Sequence, residues 1–158
     1  MRLLASALIV AASVAAVGCR REPARADHHL AETADACTNA KDLACPRPIL
    51  YVTSLAVSQR YYRDQLGFKI DWTDGDPPDF GAVTRGETQL FMCQRCQGHA
   101  GGWLWVFTPD VDKLHTELVR RGAIIRSAPE NKPWGVREMQ VADPDGNVLR
   151  IASPLRKH

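Results

Sequence analysis

The sequence predicts an α+β fold made of two tandem βαβββ modules, and three observations carry that reading. Between residues 47 and 153 a strand-like run, a helical stretch and three short strand-like runs occur in the same order twice. Both helical stretches stop at a glycine, Gly67 and Gly122, and these lie 55 residues apart. The first strand of each pass repeats at about that offset, as a duplicated supersecondary unit requires.

In the first pass, residues 48–53 (Pro-Ile-Leu-Tyr-Val-Thr) are β-branched and aromatic and predict a strand. Residues 55–66 have helical character, and Gly67 suits the left-handed residue that ends a helix. Strands are predicted over 68–73, 79–85 and 88–93, punctuated by Asp-Gly-Asp-Pro-Pro at 74–78 and Arg-Gly-Glu at 85–87.

The second pass opens with a strand over 103–108. Thr108 is placed as the cap of the next helix and Pro109 as its first residue. Asp110 and Asp112 near its start and Arg120 and Arg121 near its end match the helix dipole. Val111, Leu114 and Leu118 form its apolar stripe, and Gly122 ends it. Strands over 123–126, 136–142 and 148–153 follow, the last two joined by Asp-Pro-Asp-Gly-Asn at 143–147.

The N-terminus predicts export. One positive charge at Arg2 precedes an apolar run over 3–17, too short to span a bilayer comfortably and typical of a signal peptide. It ends in Ala16-Val17-Gly18-Cys19, which resembles the lipobox of bacterial lipoproteins. That resemblance implies cleavage after residue 18, a lipid on Cys19 and a membrane-anchored protein facing the periplasm or the cell exterior. The alternative is ordinary cleavage with Cys19 discarded. Residues 19–46 carry no apolar stripe and read as a flexible tether, and 154–158 as a tail. The formal net charge of +2, with both signs scattered, excludes the dense basic surface of a nucleic-acid binder.

Beyond Cys19 there are four cysteines, Cys37, Cys45, Cys93 and Cys96, an even number that favours disulfides after export. The simplest pairing is local, Cys37 with Cys45 and Cys93 with Cys96, although sequence leaves all three pairings open. Cys93, Cys96 and His99 also have a spacing able to chelate zinc or copper, without a clear fourth ligand.

Two motifs carry a family resemblance. Tyr-Tyr-Arg-Asp-Gln-Leu-Gly-Phe at 61–68 resembles a helix end of the vicinal oxygen chelate superfamily. Pro-Trp-Gly-Val-Arg-Glu at 133–138, followed by the turn at 143–147, is similar to the closing signature of bleomycin-resistance-like members. The resemblance covers residues 47–153. It implies a curved eight-stranded mixed sheet with helices on the outer face, a ligand crevice inside, and a homodimer formed around that crevice.

Strand alternation assigns faces. Leu50, Val52, Leu104, Val106, Met139, Val141, Leu149 and Ile151 fall on the helix side. Tyr51, Phe91, Trp103, Trp105, Glu138, Gln140 and Arg150 then face the crevice, joined by Trp134 from a Pro/Gly loop. Large rings with a few fixed polar groups suit a small-molecule site; Trp105 and Phe107 equally suit a core or a dimer interface, whereas Trp134, on an irregular loop, favours ligand contact.

Metal-dependent relatives bind their ion at positions that fall here on Arg47, Phe91, Trp103 and Arg150. None is a normal ligand: a guanidinium stays protonated and these rings offer no suitable lone pair. Arg47 and Arg150 suggest instead an anionic or carbonyl-bearing ligand, or a salt bridge of Arg150 with Glu138. The leading expectation is therefore a metal-free binding module that sequesters a small molecule. Bleomycin itself, a cation, is disfavoured by the crevice arginines. The alternatives are a metal-dependent glyoxalase-like lyase or dioxygenase with shifted ligands such as Glu87, Glu138 or Gln140, and a domain whose rings are buried by a protein partner.

Overall fold

The computed structural model describes residues 45–155. The predicted leader, the lipobox cysteine, most of the tether and the end of the tail lie outside the described residues. The chain runs β1 (Ile49–Val52), α1 (Leu55–Asp64), β2 (Lys69–Gly75), β3 (Pro78–Arg85) and β4 (Thr88–Gln94). The pattern then repeats as β5 (Trp103–Phe107), α2 (Val111–Arg120), β6 (Ile124–Asn131), β7 (Val136–Ala142) and β8 (Val148–Pro154).

The eight strands form two four-stranded mixed sheets, ordered β1-β4-β3-β2 and β5-β8-β7-β6. In each sheet the first strand runs parallel to the last, and the remaining pairs are antiparallel. The expected eight-stranded curve is thus divided within one chain, because no ladder joins β1 to β5 and both are edge strands.

Each helix lies over its own sheet through a stripe at helical spacing. In α1 the buried residues are Leu55, Ser58, Gln59 and Tyr62. In α2 they are Val111 and Leu118, with Leu114 packed against the same cluster. The approach of α1 to β3 is close enough to require glycine: a Cβ on Gly81 would stand 2.6 Å from Gln59 Nε2 and 2.9 Å from the Trp72 carbonyl. Gly122, at φ +79°, lets the Ala123 N–H return to the Leu118 carbonyl at 3.0 Å and stops α2.

Two local expectations need correction. The cap of α2 is Asp110, whose carboxylate accepts the Lys113 N–H at 3.0 Å. Thr108 lies two residues too early to cap a helix that starts at Val111; its N–H donates to the Ala152 carbonyl at 2.8 Å and extends the pairing of β5 with β8. The strand β6 is also longer than expected. It runs to Asn131 through Pro129, a residue that weakens the strand signal in sequence but is tolerated at a sheet edge.

One apolar core spans both modules. Leu50, Val83 and Met92 of the first sheet join Met139, Leu149 and Ile151 of the second in a single buried cluster. Polar bonds reinforce this junction. The Tyr61 hydroxyl donates to the Ala142 carbonyl and accepts from the Ile124 N–H, both at 2.8 Å. The Asp143–Asn147 turn reaches back to the first module: Asp145 accepts from the Thr53 N–H at 2.9 Å, and Asn147 Nδ2 donates to the Tyr51 carbonyl at 2.9 Å.

Glu117 on α2 bridges Arg85 of the first module at 2.9 Å and Arg121 at 2.8 Å. Burial raises the Glu117 carboxyl, but the hydrogen bonds and charges of the two arginines outweigh it, so its pKa lies below the usual glutamate range. A carboxylate depressed by folding contributes stability that is present above its unfolded pKa and is lost as pH falls through its folded pKa. Glu117→Gln is therefore expected to flatten the acid limb of stability by about 0.5–1 kcal/mol, the range for a partly exposed pair. Denaturant midpoints of both proteins, followed from neutral pH downward, check this, and parallel curves would refute it.

Candidate functional site

Each sheet has one face under its helix and one face turned away. On the first sheet the open face carries Ile49, Phe91, Ala82 and Trp72 in one cross-strand row, and Tyr51, Cys93 and Phe80 in the next. Trp72, Phe80 and Phe91 form a ring cluster with centroids 5.4–5.8 Å apart. On the second sheet the matching rows are Trp103, Val148 and Ala142, then Trp105, Arg150 and Gln140, then Phe107, Ala152 and Glu138.

The second sheet concentrates the exposed rings. Trp103 is 57 % exposed, Trp105 48 %, Phe107 61 % and Trp134 58 %, figures far above those of core rings. Trp105 and Phe107 meet at 4.6 Å in an edge-on contact. Beneath them Glu138 is fully buried and held by two partners. Arg150 Nε and Nη2 donate to its two oxygens, each at 2.9 Å, and Trp105 Nε1 donates to Oε2 at 3.0 Å. The fork geometry fixes the guanidinium in one plane. Arg150 then lies 5.8 Å from the centre of the Trp134 ring, with Lys132 on the same ring at 5.9 Å. Trp105, Trp134 and Arg150 line a shallow cavity of about 370 Å³.

The structure thus sorts the predicted residues into two groups. Trp105, Trp134, Glu138 and Arg150 form one connected constellation, with Gln140 beside Arg150 and Trp103 on the neighbouring row. Tyr51 and Phe91 lie on the open face of the other sheet, as expected from their alternation, and no ladder connects the two faces. Arg126 escapes sequence reasoning. It sits at an irregularity in the β6–β7 register between Ile125 and Ser127, which places its guanidinium 5.4 Å from the Trp103 ring centre. Also unforeseen is an apolar cavity of about 750 Å³ between the modules, lined by Leu66, Phe68, Leu114 and Leu118 among others.

Cys93 and Cys96 form a disulfide, the local pairing expected for them, with Cα atoms 5.5 Å apart. Sulfurs joined in this way offer no thiolate, so chelation by Cys93, Cys96 and His99 would require their reduction. Cys45 is also disulfide-bonded, while Cys37 lies outside the described residues.

At the positions that the resemblance assigns to a metal, the side chains have other partners. Arg47 Nε donates to Gln89, Phe91 belongs to the ring cluster, Trp103 is paired with Arg126, and Arg150 with Glu138. Of the shifted candidates, Glu138 has both oxygens occupied. Glu87 lines the inter-module cavity, which Trp105 and Phe107 also line, and Gln140 lies in the same cross-strand row as Trp105 and Arg150.

Two βαβββ modules that share a core and leave one open face each define the glyoxalase-like class of α+β proteins. The family described as "Glyoxalase superfamily protein" matches residues 35–156, and the chain belongs to that superfamily. The Bacillus subtilis (strain 168) protein YraH is 27 % identical over 122 residues, covering 67 % of this chain and 94 % of the relative. Among solved structures, TnmS3, an antibiotic binding protein from Streptomyces sp. CB03234, superposes with a TM-score of 0.63 at 24 % identity, covering 74 % of this chain and all of that one. A member of the glyoxalase/bleomycin resistance protein/dioxygenase superfamily from Sphaerobacter thermophilus DSM 20745 gives 0.61 at 23 %, covering 72 % and 99 %. At these identities the two structures establish the fold alone.

Proposed function

We propose that this protein holds a small ring-containing molecule against the open face of its second sheet and performs no metal-assisted chemistry on it. The observation that carries the reading is the set of four exposed rings gathered over a fixed Arg150–Glu138 pair. Leaving apolar area in water costs roughly 25 cal/mol per Å², so exposed rings concentrated on one sheet face signal a partner that covers them. The likeness to an antibiotic binding protein supports a small molecule as that partner. A second copy completes the crevice: β1 and β5 are edge strands, and the Tyr51/Phe91 face of one chain can close over the Trp105/Trp134 face of another.

Titration of tryptophan fluorescence with neutral polycyclic aromatics tests the binding reading. Quenching should saturate, and Trp134→Ala should weaken it about 10-fold or more, the usual loss for a central aromatic anchor. Light scattering at micromolar concentration should show a dimer. Conversion of a bound compound only when divalent metal is supplied would replace sequestration by an enzyme.

We propose in addition that the protein is exported and anchored through Cys19, on the strength of the apolar leader and the Ala16–Cys19 motif. Cys19→Ala is expected to move it from the detergent phase to the aqueous phase on partitioning. Unchanged partitioning would rule the anchor out.

A further inference from the structure

The charges on the ring face narrow the ligand class, an inference that rests on the small-molecule reading above. The exposed tryptophans already carry cations: Arg126 on Trp103, and Arg150 and Lys132 on Trp134, at 5.4–5.9 Å from the ring centres. The carboxylates on this side are engaged. Glu138 is buried under Arg150 and Trp105, and Glu130, which pairs with Glu138 across β6 and β7, is bonded to Lys132. Arg126 has no carboxylate partner among the described residues and leaves the face with surplus positive charge.

Arg150 also has unused capacity. Its Nε and Nη2 are bonded to Glu138, and its side chain is 34 % exposed, so Nη1 is available at the wall of the cavity it shares with Trp105 and Trp134. A guanidinium fixed by a buried carboxylate needs no reorganisation to receive a second anion.

We infer that the ligand is a planar aromatic anion: an aryl carboxylate, sulfonate or phenolate. Its ring lies against Trp134 and Trp105 and its oxygens accept from Arg150 Nη1. Arg126 adds long-range attraction from the neighbouring row. A cationic ring meets Lys132 and Arg150 at Trp134 and is rejected.

Three matched probes test this: anthracene carboxylate, anthracene methanol and aminomethyl anthracene, each titrated into the purified protein by tryptophan quenching. The carboxylate is expected to bind about 10-fold or more tighter than the alcohol, the range for a hydrogen bond to a charged group, and the amine weakest. Rising salt should narrow the gap. The exposed substitution Arg126→Gln should weaken the carboxylate about 3-fold more than it weakens the alcohol, as expected of a charge acting through solvent. Equal binding of all three, or preference for the amine, overturns the anion assignment while leaving ring binding intact. Failure of all three to bind overturns both.

Discussion

Arg150→Met is expected to lower the unfolding free energy by about 3 kcal/mol, because it leaves the Glu138 carboxylate buried without its cation. Glu138 has no exposed surface, and with Arg150 gone only Trp105 Nε1 would remain to satisfy it. The lower end of the range applies because Arg150 itself is one-third exposed and Met retains its apolar stem contacts. Glu138→Leu combined with Arg150→Met should recover most of the loss, since replacing both members of a buried pair by apolar residues of similar volume is often neutral. Chemical denaturation of the three proteins separates the outcomes. If the single variant is as stable as wild type, Glu138 is reached by water and the arginine is not a rigid wall of the site. If the double variant is stable but no longer binds aromatic probes, the pair exists to position Arg150 and Trp105.

Asp143→Ala is expected to cost about 3 kcal/mol as well, for a different reason. Asp143 Oδ1 accepts the N–H groups of Asp145 and Asn147 at 2.9 and 2.8 Å, and Oδ2 accepts Asn147 Nδ2 at 2.8 Å and the Tyr62 hydroxyl at 3.3 Å. Truncation orphans several donors at once, each worth about 1–3 kcal/mol when left buried and unpaired, with partial relief from relaxation of the turn. Burial together with the Asp143 charge holds the Tyr62 phenol well above its usual pKa, so it remains a donor at physiological pH. The loss should spread to the junction between modules, because the same turn supplies Asp145 to Thr53 and Asn147 to the Tyr51 carbonyl. Hydrogen exchange at Thr53 reads this directly: faster exchange in the variant supports the coupling. A stability loss below about 1 kcal/mol would mean that backbone bonds alone hold the turn.

The Asp-Pro-Asp-Gly-Asn turn is legible because turn chemistry is local: the residues that need each other lie within five positions. Its second role, stitching β1 to the second module, is invisible locally, since Thr53 and Asp145 are 92 residues apart. The same division holds for the site. Alternation alone places Trp105, Glu138 and Arg150 on one face, because the strand period of two is a property of the backbone. Alternation cannot place Arg126, whose orientation depends on an irregular register in β6.

The sequence by itself determined the order of elements, the duplication, the glyoxalase-like class and which rings turn away from the helices. The order, the duplication and the ring orientation follow from periodicity and turn residues, which act over a few positions, and the class follows from the resemblance carried by residues 61–68 and 133–147. Only the tertiary structure decided that the strands divide into two sheets with β1 and β5 at their edges, and that Glu138 is fully enclosed by Arg150 and Trp105. It also decided that cations sit over the exposed tryptophans. Edge pairing, burial and charge placement depend on which distant segments meet, and that is set by packing of the whole core rather than by any short stretch of chain.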